Sequence, residues 1–186
     1  MNNFVWRYYC CLSLVVLFGT SRTTAVWAAE SLTPSTASIH AEVMGVYFAP
    51  SPNAAQSIVQ TVETSQREVL VAAYGFTHNG IAQALVRAHR RGVAVRVVMD
   101  AKTANTNQYV IGLLQQDDIA TRQDDKHAIA HNKVMVIDRA IVITGSFNFT
   151  NSASTRNAEN FLVLKSAALA EKYSRQWQNH WAHGVE

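Results

Sequence analysis

His131-Asn132-Lys133-Val134-Met135-Val136-Ile137-Asp138, followed after Arg139-Ala140 by Ile141-Val142-Ile143-Thr144-Gly145-Ser146-Phe147-Asn148, is the stretch that decides how this chain folds. Two apolar runs separated by two residues read as a β-hairpin, and their continuous hydrophobicity places it at the centre of a sheet. Residues two apart on a strand leave the same face. His131 and Lys133 have that spacing at the start of the first strand, and Ser146 and Asn148 repeat it at the end of the second. A hairpin therefore gathers four polar side chains at one sheet edge. An imidazole can attack phosphorus, while an ammonium, an amide and a hydroxyl can hold the charge that builds on the phosphate oxygens. The cluster suits a phosphate, and its chemistry requires neither a metal nor a cofactor.

Working outward, strands and helices alternate. Val43, Val46 and Phe48 lie in a β-prone run ending at Pro50, and Ala55, Ile58, Val59 and Val62 then recur at helical spacing. Residues 68–76 read as a buried strand, residues 79–91 as a helix closed by Gly92, and residues 93–100 as a strand. A helix follows over 106–116, with a short extended segment from Ile119. Beyond the hairpin a short polar stretch after Ser152 leads to a strand over 161–164. A helix over 167–183 closes the chain, with Leu169, Tyr173, Trp177 and Trp181 at near-helical spacing and its tryptophans core-facing. The pattern predicts one α/β domain, a mixed β-sheet flanked by helices on both faces.

The 186 residues, 48% hydrophobic and 16% charged with 3 Pro and 8 Gly, exclude a collagen-like, low-complexity or generally disordered chain. The formal charge of +3 is weaker evidence for a polyanion partner than it looks. Residues 1–28 read as a secretory signal peptide: Arg7, an apolar run over 10–20, and small residues at Val26 and Ala28. That run is too short for a spanning helix of ~20 residues, so no permanent membrane anchor is expected. Loss of Arg7 and Arg22 with this segment would reduce 16 basic residues to 14 against 13 acidic, a charge of +1. Cys10 and Cys11 would leave too, removing disulfides and thiolate ligands. Residues 29–38 read as a flexible leader, residues 39–186 as the folded domain, and the expected location is periplasmic or secreted.

At this point the spacing His131-x-Lys133-x4-Asp138-x6-Gly145-Ser146-x-Asn148 resembles the HKD motif of the phospholipase D superfamily, complete at all six defined positions. Single-motif, secreted bacterial endonucleases are the branch it is most similar to. The resemblance implies a homodimer sharing one active site, since a second motif copy is absent. In it, one His131 attacks the phosphodiester phosphorus to give a phosphohistidine and the partner's His131 protonates the leaving oxygen. Lys133 and Asn148 hold the non-bridging oxygens, with Ser146 as a further donor. Glu159 resembles the acidic residue that orients the imidazole in this branch. Asp138 lies about 16 Å along the strand from Lys133, at ~3.3 Å per residue, which makes it a structural acceptor rather than a reacting group. Gly145 is likewise a structural motif position.

Each of these residues has a plainer alternative. A lone His-x-Lys on a strand is ordinarily a solvated pair, Ser146 and Asn148 suit a turn, and Glu159 alone is an ordinary exposed carboxylate. The full motif is what reverses those readings. Lys126 and His127, just before the motif, are candidate phosphate-backbone contacts, although Asp117, Asp118, Asp124 and Asp125 nearby oppose a polyanion. Tyr74 and Phe76 are candidates for base stacking, with core packing as the alternative. Arg87, His89, Arg90 and Arg91 form a basic helix end, by default a solvated face. His40, His78, His89, His127, His180 and His183 show no recognised ligand spacing with paired carboxylates, so no metal site is expected. The leading expectation is a metal-independent endonuclease acting on DNA, with RNA as a further candidate substrate. Phospholipid head-group hydrolysis is the alternative, and a non-catalytic nucleic-acid binder is disfavoured by the intact motif.

Overall fold

The structure, a computed structural model, describes residues 38–185. The expected signal peptide, and the leader apart from Ser38, lie outside the described residues. In chain order the elements are β1 (Glu42–Ala49), α1 (Pro52–Glu63), β2 (Glu68–Ala73), α2 (Asn79–Arg90), β3 (Ala94–Asp100), a 3-10 turn (Ala101–Thr103), α3 (Ala104–Gln116), β4 (Ala120–Asp124), β5 (Lys133–Ile137), β6 (Ile141–Gly145), α4 (Asn151–Thr155), β7 (Glu159–Lys165) and α5 (Ala167–His183).

The strands form one seven-stranded sheet ordered β1-β7-β6-β5-β2-β3-β4. β2, β3 and β4 run parallel, while β5, β6, β7 and β1 join antiparallel. The sheet is therefore mixed, with the hairpin strand β5 in the middle. Every residue of β2 is buried, because both its faces are covered. Val69, Val71 and Ala73 pack with Ile58, Leu85, Leu114 and Ala153 from α1 to α4. Leu70 and Ala72 pack on the other face with Ala170 and Trp177 of α5. The Trp177 indole also donates to Val71 O at 2.8 Å, which satisfies its polar end inside that core.

Local chemistry sets the boundaries. Ser51 caps α1, accepting from Asn53 N at 3.3 Å, and Pro52 occupies the first turn, where a missing N–H costs nothing. Gly92, at φ +91, ends the α2 segment in a conformation that disfavours other residues. Asp138 and Arg139 take φ 53 and 55, and Ala140 N donates to Ile137 O at 3.0 Å, so a tight turn closes the three-residue connection between the paired Ile137 and Ile141. The connection thus begins one residue before the Arg139-Ala140 break read from the sequence.

Two further boundaries differ. Residues 151–155, read as part of a polar stretch, form α4, capped by Thr150, which accepts from Ala153 N at 3.1 Å. β2 ends at Ala73 rather than at Phe76 because the following backbone bonds elsewhere. Tyr74 N donates to Asn132 O, Phe76 N to the buried Asn107 side chain, and Thr77 N and His78 N to Phe149 O.

This topology brings the C-terminal ends of β1, β2, β3, β4 and β6 and the N-terminal ends of β5 and β7 to one edge of the sheet. On the α5 side, the outer strand β1 keeps apolar residues in solvent: Val46 is 52% and Phe48 68% exposed.

Candidate active site

His131 sits in the loop immediately before β5, with its side chain exposed. Lys133, two residues on, is the first residue of that strand and only 8% exposed. Its Nζ donates to His131 O at 3.0 Å and stands 5.3 Å from the centre of the Tyr74 ring. The same ring meets the His131 imidazole edge-on, centroids 4.6 Å apart. Tyr74 therefore supports both motif side chains, which the sequence placed near the site only as a stacking candidate.

Burial pushes the Lys133 ammonium pKa down, and the negative charge of Glu159 pushes it partly back up, leaving it below the usual lysine value. Glu159 begins β7, beside the end of β6. Its Oε2 accepts from Ser146 Oγ at 2.6 Å and its Oε1 from Asn157 Nδ2 at 3.1 Å, and Ser146 Oγ in turn accepts from Asn160 N at 3.1 Å. The expected Glu159 bond to the imidazole is not made within the chain: the His131 ring has no hydrogen bond among the described residues, and both Glu159 oxygens are engaged by Ser146 and Asn157. The carboxylate instead sits where its charge reaches Lys133. Asn148 follows β6 by three residues, with its Oδ1 buried and lacking a hydrogen-bond partner among the described residues. An amide left in that state costs about 1–3 kcal/mol until something bonds it.

The two structural motif positions have direct causes. Asp138 Oδ1 accepts from Arg67 N at 2.7 Å and Glu68 N at 3.0 Å, and Oδ2 from Gln66 N at 2.9 Å. Burial raises its pKa, but these backbone donors outweigh it and the carboxyl is held below its ordinary value. A Cβ on Gly145 would fall inside the radius of the Asn160 carbonyl oxygen and 2.5 Å from Phe161 Cα, so β6 and β7 approach this closely only over a glycine.

Several sequence candidates change role. Phe76 is fully buried, edge-on to Phe149 at 5.7 Å, and is core rather than a base platform. The arginines of the α2 end lie at the opposite sheet edge, because α2 runs back from the end of β2. Arg87 and Arg91 bond Glu63, and Arg90 bonds Asp117. Lys126 is exposed, but His127 turns onto Asp124, with Nδ1 3.0 Å from Oδ2. Three of the histidines that show no ligand spacing in the sequence come together in the fold. His127, His180 and His183 converge on Asp124, one donor atom from each of the four lying within 4.8 Å of the others.

Two supports went unread in the sequence. Asn107, fully buried in α3, accepts from Phe76 N at 2.8 Å and donates to Tyr74 O at 2.9 Å, so it holds the loop carrying Tyr74. Asp100, at the end of β3, accepts from Ala130 N at 2.6 Å and anchors the residue before His131. A polar residue on the inner face of a helix and an acid closing an apolar strand were their only sequence signals.

A central β5–β6 hairpin brings His131, Lys133, Ser146, Asn148 and Glu159 to one edge of a mixed sheet. The family model described as "Cardiolipin synthase, PLD-like domain" matches residues 58–181, and the chain belongs to the phospholipase D superfamily. It is 41% identical over 130 residues to a phospholipase D of Rickettsia prowazekii, a match covering 70% of this chain and 63% of that relative, so the chain spans under two thirds of its length. It is 29% identical over 134 residues to a mitochondrial cardiolipin hydrolase of Chlamydomonas reinhardtii, covering 72% of this chain and 60% of that one. Among solved structures it is similar to Nuc of Salmonella typhimurium, a phospholipase D family member, with TM-score 0.74 and 33% identity over 78% of this chain and 97% of that one.

Proposed function

We propose that this protein is a metal-independent endonuclease that cleaves DNA through a phosphohistidine, as a homodimer in which two copies of His131 share one active site. The observation that carries the reading is the pairing of an exposed, unbonded His131 imidazole with a buried Lys133 ammonium at one sheet edge. In this mechanism the His131 nitrogen attacks phosphorus and a P–N bond forms as the P–O bond to the leaving strand breaks. The partner's His131 gives its proton to that oxygen. Water then attacks phosphorus, returning a proton to the same imidazole, and the P–N bond breaks. Lys133 and the uncommitted Asn148 amide bind the non-bridging oxygens, and Ser146 and Glu159 hold the far side of the Lys133 charge. One histidine acts unprotonated and one protonated, so activity should peak between acidic and alkaline limbs.

A second copy is favoured by two features. One chain carries one catalytic histidine where the mechanism needs two. Val46 and Phe48 are exposed on β1, and Phe48 pairs with Asn160, the residue after Glu159, beside the site, where a symmetric partner would cover them. The nuclease reading is supported by the near-complete coverage of Nuc, and secretion by the sequence pattern of residues 1–28. Hydrolysis of phospholipid head groups is the second reading, favoured by the higher identity to the rickettsial phospholipase D.

The test is cleavage of plasmid and single-stranded DNA by the purified protein and by His131→Ala, with choline-phospholipid hydrolysis in parallel and acid-labile phosphate trapped on the protein. Nicking and trapped phosphate that both vanish in the variant are expected. Nicking unaffected by the substitution would overturn the mechanism, and lipid cleavage without nicking would establish the second reading.

A further inference from the structure

The Asp124 cluster lies along the same sheet edge as the catalytic loop but takes no part in the chemistry above. Asp124, 1% exposed by its side chain, ends β4. His127 belongs to the loop that runs from β4 to His131, and His180 and His183 form the last turn of α5 at i and i+3, on one helical face. Asp-x2-His and His-x2-His pairs, 53 positions apart in the chain, meet only through the fold. The three imidazole centroids form a near-regular triangle with sides of 5.0, 5.3 and 5.7 Å.

Hydrogen bonding alone does not settle this cluster. Asp124 Oδ1 already accepts from Lys126 N at 3.2 Å and His127 N at 3.3 Å. Oδ2 is taken by His180 Nδ1 at 2.5 Å. His183 Nε2 stands 3.2 Å from Oδ1 yet lacks hydrogen-bond geometry, and it is buried without another partner. In a neutral ring protonated at Nδ1, the Nε2 lone pair would face a carboxylate oxygen, an arrangement that a bound cation relieves. The other nitrogen of His180, Nε2, is 3.3 Å from the Gln176 side-chain amide, whose oxygen, turned inward, would accept from a ligating imidazole.

We propose that Asp124, His127, His180 and His183 form a structural site for a divalent transition metal, with zinc the best match. Three imidazoles and one carboxylate are a complete tetrahedral set of zinc donors. Bonds of ~2.0 Å place tetrahedral donors roughly 3.3 Å apart. The present spacing closes to that by small rotations of His127 and His183, the two more exposed ligands, with side chains 45% and 22% in solvent. An open depression of about 460 Å³ rimmed by Lys126, Gln176 and Asn179 leads to the cluster from solvent. Bound there, the ion ties the end of α5 to β4 and to the loop ending at His131. It acts as a cross-link in a domain whose described residues include no cysteine, and the phosphoryl chemistry remains with His131 and Lys133.

The site is tested on purified, untagged protein by zinc content after dialysis, cobalt absorption and melting temperature with and without chelator. One equivalent of zinc, the intense visible bands of tetrahedral cobalt and a melting temperature several degrees lower after chelation are expected. His183→Gln and His127→Gln, both at partly exposed positions, should fold and lose the cobalt bands and the chelator effect. Binding that survives in the double variant would place the metal elsewhere and overturn the site. So would wild-type protein that binds less than a tenth of an equivalent and melts identically with chelator. None of these readouts depends on nuclease activity.

Discussion

Replacing Asp138 by Ala separates the structural from the reacting parts of the motif. The carboxylate accepts three backbone N–H bonds from Gln66, Arg67 and Glu68, at 2.9, 2.7 and 3.0 Å, and so fastens the start of β2 to the β5–β6 turn. A hydrogen bond to a charged acceptor contributes about 1.5–3 kcal/mol when well buried; at this half-exposed turn about 1 kcal/mol each is the fitting figure, or about 3 kcal/mol together. For a domain of this size that lowers Tm by about 6–12 °C. The pH dependence has a definite sign. The folded carboxyl pKa is depressed, so its stabilisation is present above the unfolded value of about 3.9 and is lost as pH falls through the folded value. Thermal unfolding of wild type and Asp138→Ala from pH 7 to pH 2 should show a gap that narrows below about pH 4. DNA nicking by Asp138→Ala, measured well below its transition, should stay within about threefold of wild type. A gap under 1 °C at pH 7, or a loss of activity beyond tenfold in folded protein, would refute the structural assignment.

Glu159→Gln removes the charge that opposes the burial effect on Lys133, so the Lys133 pKa should fall further, read from the NMR titration of its side chain; a titration that stays in place means that Glu159 does not act on Lys133. Gly145→Ala drives a methyl into Asn160 and Phe161 and should cost about 3 kcal/mol or more by forcing β6 from β7, read as a fall in the chemical-denaturation midpoint. Asn107→Ala leaves Phe76 N unpaired and removes one of two bonds to Tyr74 O, the other coming from Thr103 Oγ1 at 2.8 Å, with an expected cost of about 2 kcal/mol. Because Tyr74 touches His131 and Lys133, kcat should fall more than KM rises.

Much of the site lay open in the chain because it is local. His131, Lys133, Asp138, Gly145, Ser146 and Asn148 fall on or beside two strands joined by a tight turn, and strand periodicity with hairpin closure determines which of them meet. The apolar runs of β2, β3, β5 and β6, the helical stripe of α2 and the tryptophan-bearing helix α5 were equally legible, since their periods reflect burial on one face or two. The mixed sheet with helices on both faces follows from that alternation. Tertiary contact decided the rest. Phe76 and Tyr74 are two apart in one apolar run, yet one is buried against Phe149 and the other faces the catalytic loop, because β2 ends at Ala73 and Asn107 binds the backbone beyond it. The oxygens of Glu159 went to Ser146 and Asn157, a choice made by the β6–β7 register. Most of all, Asp124 and His127 meet His180 and His183 only because α5 returns across the sheet to the edge where β4 ends. Periodicity carries information over the few residues that share an element, whereas the meeting of side chains from distant elements depends on how those elements pack.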